Sequence, residues 1–240
     1  MFCQDAPPET VMNRFLALIL ALALSSVPVA ALPVRPSTSI QFRATHEIMF
    51  SVADPDSDDG RKSAVCTASA LGPHALLTAA HCDMGETSVQ LDTVKVINYH
   101  ILGRIKDGQD HEIFLVDGPE FKVTMGSLYT PGDYNIGEVG DEVFMFGDGG
   151  AMFPAQYRTG LLMGHVAPDK DSLPIDGDIF VYDMNIIGGD SGSAVYSTLT
   201  GKLVAIVTYG IDDHFMGAYP MRFTQDQVDQ AEQFVPLNWF

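Results

Sequence analysis

Basic residues are scarce in this sequence. Lys and Arg number 13 against 31 Asp and Glu, a formal net charge of −18 over 240 residues. A chain this negative has no general attraction for phosphate backbones or anionic lipid surfaces, so neither nucleic acid nor membrane is an expected partner of the mature protein. Cysteine is scarcer still, with three in all. No Cys-x-x-Cys pair and no His-Glu-x-x-His occurs, so the usual zinc patterns are missing and no metal or other cofactor is expected. The long apolar run Phe15–Leu24 is too short for a spanning helix, which takes about 20 residues. Charged residues make up 18% and hydrophobic residues 46%, the balance of a folded globular chain rather than a disordered one.

What is present begins with a leader. Met12-Asn13-Arg14 precedes the apolar run, and Val29-Ala30-Ala31 offers small residues at a cleavage site, which is the layout of a secretory signal peptide. The residues ahead of Met12 are acidic and foreign to such a signal, so Met12 is its expected start. Residues 1–31 are therefore read as an N-terminal extension and signal peptide. Residues 32–45 are a short propeptide or an extended arm, and 46–240 are the folded domain. Cys3 lies ahead of the signal. Cys66 and Cys82 remain as one pair in an exported chain, and a disulfide is expected.

From His46 onward, short apolar runs alternate with turn residues. They are Glu47–Val52, Ala75–Ala80, Ser88–Ile97, Glu112–Val116, Phe121–Met125, Glu142–Phe146, Ile179–Met184 and Leu203–Tyr209. Many are β-branched or aromatic, which predicts an all-β barrel or sandwich. Near the end, Thr224 and Gln227 make a capping box, with Val228, Ala231 and Val235 at helical spacing behind it, so a C-terminal helix is expected. The loop Asp54–Gly60 has alternate Asp residues, but its glycine is one place late and Val65 stands where a closing Glu is needed. It reads as a solvated loop, not a calcium site.

Two stretches carry chemistry. Gly188-Gly189-Asp190-Ser191-Gly192-Ser193-Ala194-Val195 sets a serine among glycines, and serine needs a base to become a nucleophile. Leu76-Leu77-Thr78-Ala79-Ala80-His81-Cys82 offers that base at the end of an apolar strand. The segment from Cys66 to His81-Cys82 resembles the histidine segment of trypsin-like (chymotrypsin-family) serine peptidases. Gly189-Asp190-Ser191-Gly192 resembles their nucleophile segment. Val204-Ala205-Ile206-Val207-Thr208-Tyr209-Gly210 is similar to their substrate strand, and Gly217-Ala218-Tyr219 to the segment closing the specificity pocket. The order is the family's over residues 46 to 240.

The resemblance implies two antiparallel β-barrels packed face to face with the active site between them, plus the C-terminal helix. It implies a secreted, monomeric endopeptidase acting on proteins or peptides through a Ser-His-Asp triad. His81 is the expected base and Ser191 the nucleophile, with the N–H groups of Gly189 and Ser191 as the oxyanion hole. For the acid, Asp110 matches the bacterial streptogrisin and α-lytic pattern, and Glu112 matches the commoner Asp-Ile-x-Leu pattern with Glu for Asp. Asp110 is favoured and Glu112 is the alternative. No Ile-Val-Gly-Gly tetrapeptide is present to make a new N-terminus that pairs with Asp190, so an internal cation, Arg158, is expected to do so. Asn185 falls at the pocket floor, Thr208, Tyr209 and Gly210 on the substrate strand, and Gly210 and Gly217 on the walls. With Asn185 at the floor and Val207 where glutamyl-specific relatives have His, a large neutral or apolar residue before the scissile bond is expected. An inactive binding homologue and a viral polyprotein-processing peptidase are the alternatives. An α/β-hydrolase would need Gly-x-Ser-x-Gly with a later His, and His81 precedes Ser191.

Overall fold

A computed structural model describes residues 39–237, apart from 54–55, 57–59, 93–96, 127–128, 130–136, 152–153, 168–176 and 212–213. The signal-peptide segment, Cys3, residues 32–38 and most of the Asp54–Gly60 loop lie outside the described residues.

The chain enters through a short helix, α1 (Ile40–Ala44), within the segment 32–45 read as a short propeptide or an extended arm. The Ser39 hydroxyl caps it by accepting from Phe42 N–H at 3.1 Å, which satisfies one of the first-turn donors. Strands β1 (Thr45–Ala53), β2 (Arg61–Gly72) and β3 (Ala75–Ala79) follow, then β4 (Ser88–Leu91), β5 (Ile97–Lys106) and β6 (His111–Asp117). They close into an antiparallel barrel in the order β1-β2-β3-β6-β5-β4. The second half contains β7 (Glu142–Gly147), β8 (Gln156–Val166), β9 (Ile179–Asp183), β10 (Ala194–Ser197), β11 (Leu203–Ile206), β12 (Tyr209–Gly210) and β13 (Phe215–Ala218). These form one seven-stranded antiparallel sheet, ordered β11-β10-β7-β8-β9-β13-β12, curled into a half-barrel that is the second of the two expected β units. Phe121–Met125 is irregular chain, tied to the first barrel by Phe121 N–H on Pro73 O and Met125 N–H on Ala70 O.

Strand β7 explains how the halves join. Val143 and Met145 point into the curled sheet with Tyr182, Val195 and Met216. Phe144 and Phe146 point the other way, into a core continuous with Phe50, Leu76 and Phe114 of the first barrel. A strand buried on both faces reads as an unbroken apolar run, and Glu142–Gly147 does. The chain closes with helix α2 (Gln225–Glu232), whose capping box is present. Val228 and Ala231 face the body, whereas Val235 lies beyond the helix and is exposed. The helix packs so close to β2 that a Cβ at Gly72 would lie 2.8 Å from Ala231 O.

Candidate active site

Strand β3 is buried along its whole length and ends in a 3-10 turn, Ala80–Cys82, that turns His81 outward. The β3–β6 ladder pairs Ala79 with His111, and it gains one more rung when Ala80 N–H donates to Asp110 O at 2.9 Å. That rung sets Asp110 beside His81. One carboxylate oxygen accepts the His81 backbone N–H at 2.9 Å, and the other lies 2.7 Å from His81 Nδ1. The His81 side chain remains 43% exposed. The turn that presents Asp110 is itself braced. Asp107 accepts from Gln109 and Arg222 N–H and from His111, with His111 Nδ1 at 2.7 Å. Burial alone would raise the Asp107 carboxyl, but the His111 hydrogen bond and charge bring it below its usual range.

Glu112 is elsewhere. It is wholly buried, 3.7 Å from Arg104 Nε and 3.4 Å from Lys106 Nζ, and no hydrogen bond or ion pair joins it to His81 among the described residues. Burial, aided by the Asp83 charge, pushes its carboxyl up to about 7 against the pull of those two cations. Arg104 also forks onto Asp83 at 3.0 and 3.1 Å, two residues beyond His81, so this network supports the His81 turn from outside.

The Cys66–Cys82 disulfide forms. It carries Ser191 with it: Thr67 N–H donates to Ser191 O at 2.8 Å, and the same oxygen lies 3.9 Å from Cys82 Sγ. Gly192 cannot hold a side chain, because φ is +86° and a Cβ would collide with Thr67 O and Thr78 Oγ1. Around Ser191, three successive peptides are held by their carbonyls. Gly188 O accepts from Gly150 N–H at 2.6 Å, Gly189 O from the Thr67 hydroxyl at 2.9 Å, and Asp190 O from Ser193 N–H at 2.9 Å. In a trans peptide, C=O and N–H point opposite ways. Among the described residues, the N–H groups of Gly189 and Ser191 have no acceptor, so both are free to serve one from a substrate.

Asp190 is fully buried and takes Gly149 N–H at 2.9 Å, Ile187 N–H at 2.8 Å and the Arg158 guanidinium. Arg158, on β8, is thus the internal cation that pairs with Asp190. The contact depends on a glycine-rich turn absent from the sequence-based expectations, Gly147-Asp148-Gly149-Gly150. A Cβ at Gly149 would sit 2.6 Å from Asp190 Oδ1, so only glycine allows that approach. Asp148 is buried and its carboxylate has no hydrogen-bond partner among the described residues. Burial, with the charges of Glu47, Asp92 and Asp190 nearby, pushes it up to about 7. The run of glycines after an apolar strand is the signal by which this turn is legible.

The expected pocket residues gather less tightly. Tyr209 pairs with Gly217 and Gly210 with Met216 on the β12–β13 hairpin, while Asn185 is exposed just beyond β9, the neighbour of β13. Thr208 donates its hydroxyl to Gly217 O at 3.0 Å and accepts Tyr219 N–H at 3.2 Å. The wall at Gly217 is not open: the Tyr209 ring lies on it, where a Cβ would collide, and the Tyr219 ring is 5.2 Å from that of Tyr209. Burial, the Tyr209 ring and the Asp110 charge push the Tyr219 phenol up to about 12. Among the described residues, no group of three or more His, Cys, Asp or Glu is placed to hold a metal.

No protein-family model matches the sequence, and no curated protein matches it. Solved structures do. The active form of the Rv3671c protease from M. tuberculosis superposes with a TM-score of 0.60 at 17% identity, over 86% of this chain and 90% of that one. The inactive form of the same protease gives 0.55 at 17% identity, over 82% and 90%. The HtrA-type protease AlgW with a bound tripeptide gives 0.59 at 14% identity over 82% of this chain, which spans only 63% of AlgW. Chain order, the two-halved β architecture and these superpositions agree that this protein has the fold of the trypsin-like serine proteases.

Proposed function

We propose that this protein is a secreted serine endopeptidase. The observation that carries the reading is Asp110, whose two oxygens engage both the ring and the backbone N–H of His81 at the edge where Ser191 is anchored. With Nδ1–H donating to Asp110, Nε2 is left as the acceptor for a serine proton. Ser191 Oγ attacks the peptide carbonyl carbon while His81 takes its proton. The tetrahedral oxyanion rests on the Gly189 and Ser191 N–H groups, each such donor being worth about 3 kcal/mol. Collapse breaks the C–N bond as His81 protonates the leaving amine, which leaves an acyl-Ser191. Water, deprotonated by His81, then releases the acid and restores the serine. Asp190, neutralised by Arg158, holds the turn that presents the two donors.

Asn185 at the expected floor favours a neutral or apolar residue before the scissile bond. A large one requires the Tyr209 ring to move off Gly217. Proteins or peptides outside the cell are the substrates, and a monomer suffices because every group named belongs to one chain.

A fluorophosphonate probe tests the reading. Wild-type protein is expected to label at Ser191, and Ser191→Ala not at all. Equal labelling of both, or none of either, would leave a non-catalytic binding role as the better account.

A further inference from the structure

We propose that the Thr67 hydroxyl is a positioning residue for the oxyanion hole, an inference that rests on the peptidase reading above. Thr67 lies on β2 of the first barrel, is fully buried, and uses every polar group it has on or near the serine turn. Its N–H donates to Ser191 O at 2.8 Å. Its hydroxyl donates to Gly189 O at 2.9 Å and accepts Asp148 N–H at 3.0 Å. Its carbonyl accepts from the Thr78 hydroxyl at 2.8 Å, which fixes the strand from behind.

The middle of three peptides is the one at stake. Gly188–Gly189 and Asp190–Ser191 carry the two free donors, and their carbonyls are held by backbone N–H groups of the second half. Between them, the Gly189–Asp190 peptide is held at its N–H end by Ile187 O at 3.0 Å and at its carbonyl end by the Thr67 side chain. Gly189 has φ +102° and no Cβ, so its own torsions do little to fix that peptide. A single hydroxyl from the opposite half therefore sets the angle between the two donors. It also ties Gly189 to Asp148, at the start of the turn whose next two N–H groups hold Asp190 and Gly188. Serine can make the same two bonds. Valine has the shape but neither donates nor accepts, and it leaves Asp148 N–H buried and unpaired and Gly189 O without its partner.

The test compares wild type, Thr67→Val and Thr67→Ser as folded, disulfide-intact protein. On a neutral peptide substrate, T67V is expected to lose kcat by about tenfold to a hundredfold, the scale set by misplacing one oxyanion donor, with KM within about twofold. Affinity for a peptide boronate, which mimics the tetrahedral intermediate, should fall by the same factor, while T67S stays within about threefold of wild type in both. A second readout needs no turnover: amide exchange at Asp190 should quicken by about tenfold in T67V and not in T67S. Should T67V fail to fold, Thr67→Ala carries the same expectations. Wild-type kcat and unchanged Asp190 exchange in T67V would overturn the proposal, as would T67S behaving like T67V. Full wild-type activity in Ser191→Ala would instead overturn the peptidase reading, and Asp190 exchange in T67V would then decide by itself whether Thr67 holds the turn.

Discussion

At the scale of single residues, two buried carboxyls govern how the protein responds to pH. Asp148 and Glu112 both sit near 7, raised from 3.8 and 4.5 mainly by burial. A carboxyl raised in the folded state binds its proton more tightly there than in the unfolded chain. Its stabilising effect is therefore complete below about pH 4 and is lost as pH rises through 7. Stability is expected to fall between pH 4.5 and 7.5, and Asp148→Asn should remove part of that slope. At pH 8, D148N should be more stable than wild type by on the order of 2–4 kcal/mol, read by urea unfolding across the pH range. A flat wild-type profile would contradict this. The two candidate acids, Asp110 and Glu112, are expected to differ in their effect on turnover. Asp110→Asn is expected to lower kcat by about four orders of magnitude, as loss of the tautomer-fixing acid does, while Glu112→Gln changes it by less than about threefold. Steady-state kinetics on both variants decides between them. Arg158→Ala strands Asp190 as a buried, unpaired charge. A destabilisation of about 3–5 kcal/mol and a matching collapse of activity are expected in thermal melts and turnover assays.

Among elements, the Cys66–Cys82 link closes a loop of 16 residues, and both neighbours of interest ride on it: Thr67 follows Cys66 and His81 precedes Cys82. Replacing both cysteines by Ala is expected to cost about 3 kcal/mol by loop-closure entropy, and to lower kcat beyond the fraction unfolded, since the bridge ties the turn that carries His81 to the strand whose Thr67 N–H holds Ser191 O. Denaturant titration and active-site labelling on the same sample separate the two effects. Helix α2 offers a purely structural contrast. Gly72→Ala forces a methyl against Ala231 O and Glu232 Cα, so a loss of about 1–3 kcal/mol with unchanged turnover per folded molecule is expected. The apolar runs that became β1, β3, β6, β7 and β9 are legible because their burial is strong and their ends are marked by turn residues. Strand β8 is not, because its exposed face carries Tyr157, Leu161 and Met163 and its alternation is blurred by Gly160 and Gly164. Thr67 is not legible either. Its contacts with Gly189 and Asp148 span 122 and 81 positions, and a threonine inside a strand has no local mark of such a role.

For the whole molecule, the candidate site belongs to neither half alone. The first barrel contributes His81, Asp110 and Thr67, and the second sheet contributes Ser191, Asp190 and Arg158. The core shared by Phe114 and Leu76 with Phe144 and Phe146 is what makes that division workable, since β7 commits one face to it and the other to the core of the curled sheet. The pocket is where chain-level reasoning stops short. Gly217 lacks a side chain, but the room it leaves is filled by Tyr209 from across the hairpin, which depends on a rotamer and not on a motif. The most direct test is hydrolysis of an unfolded protein such as reduced casein, with products identified by mass spectrometry, for wild type, Ser191→Ala and His81→Ala. We expect wild type to release peptides and both variants to fall to background. Cleavage by wild type and Ser191→Ala at equal rates, or by none of the three, would contradict the central claim.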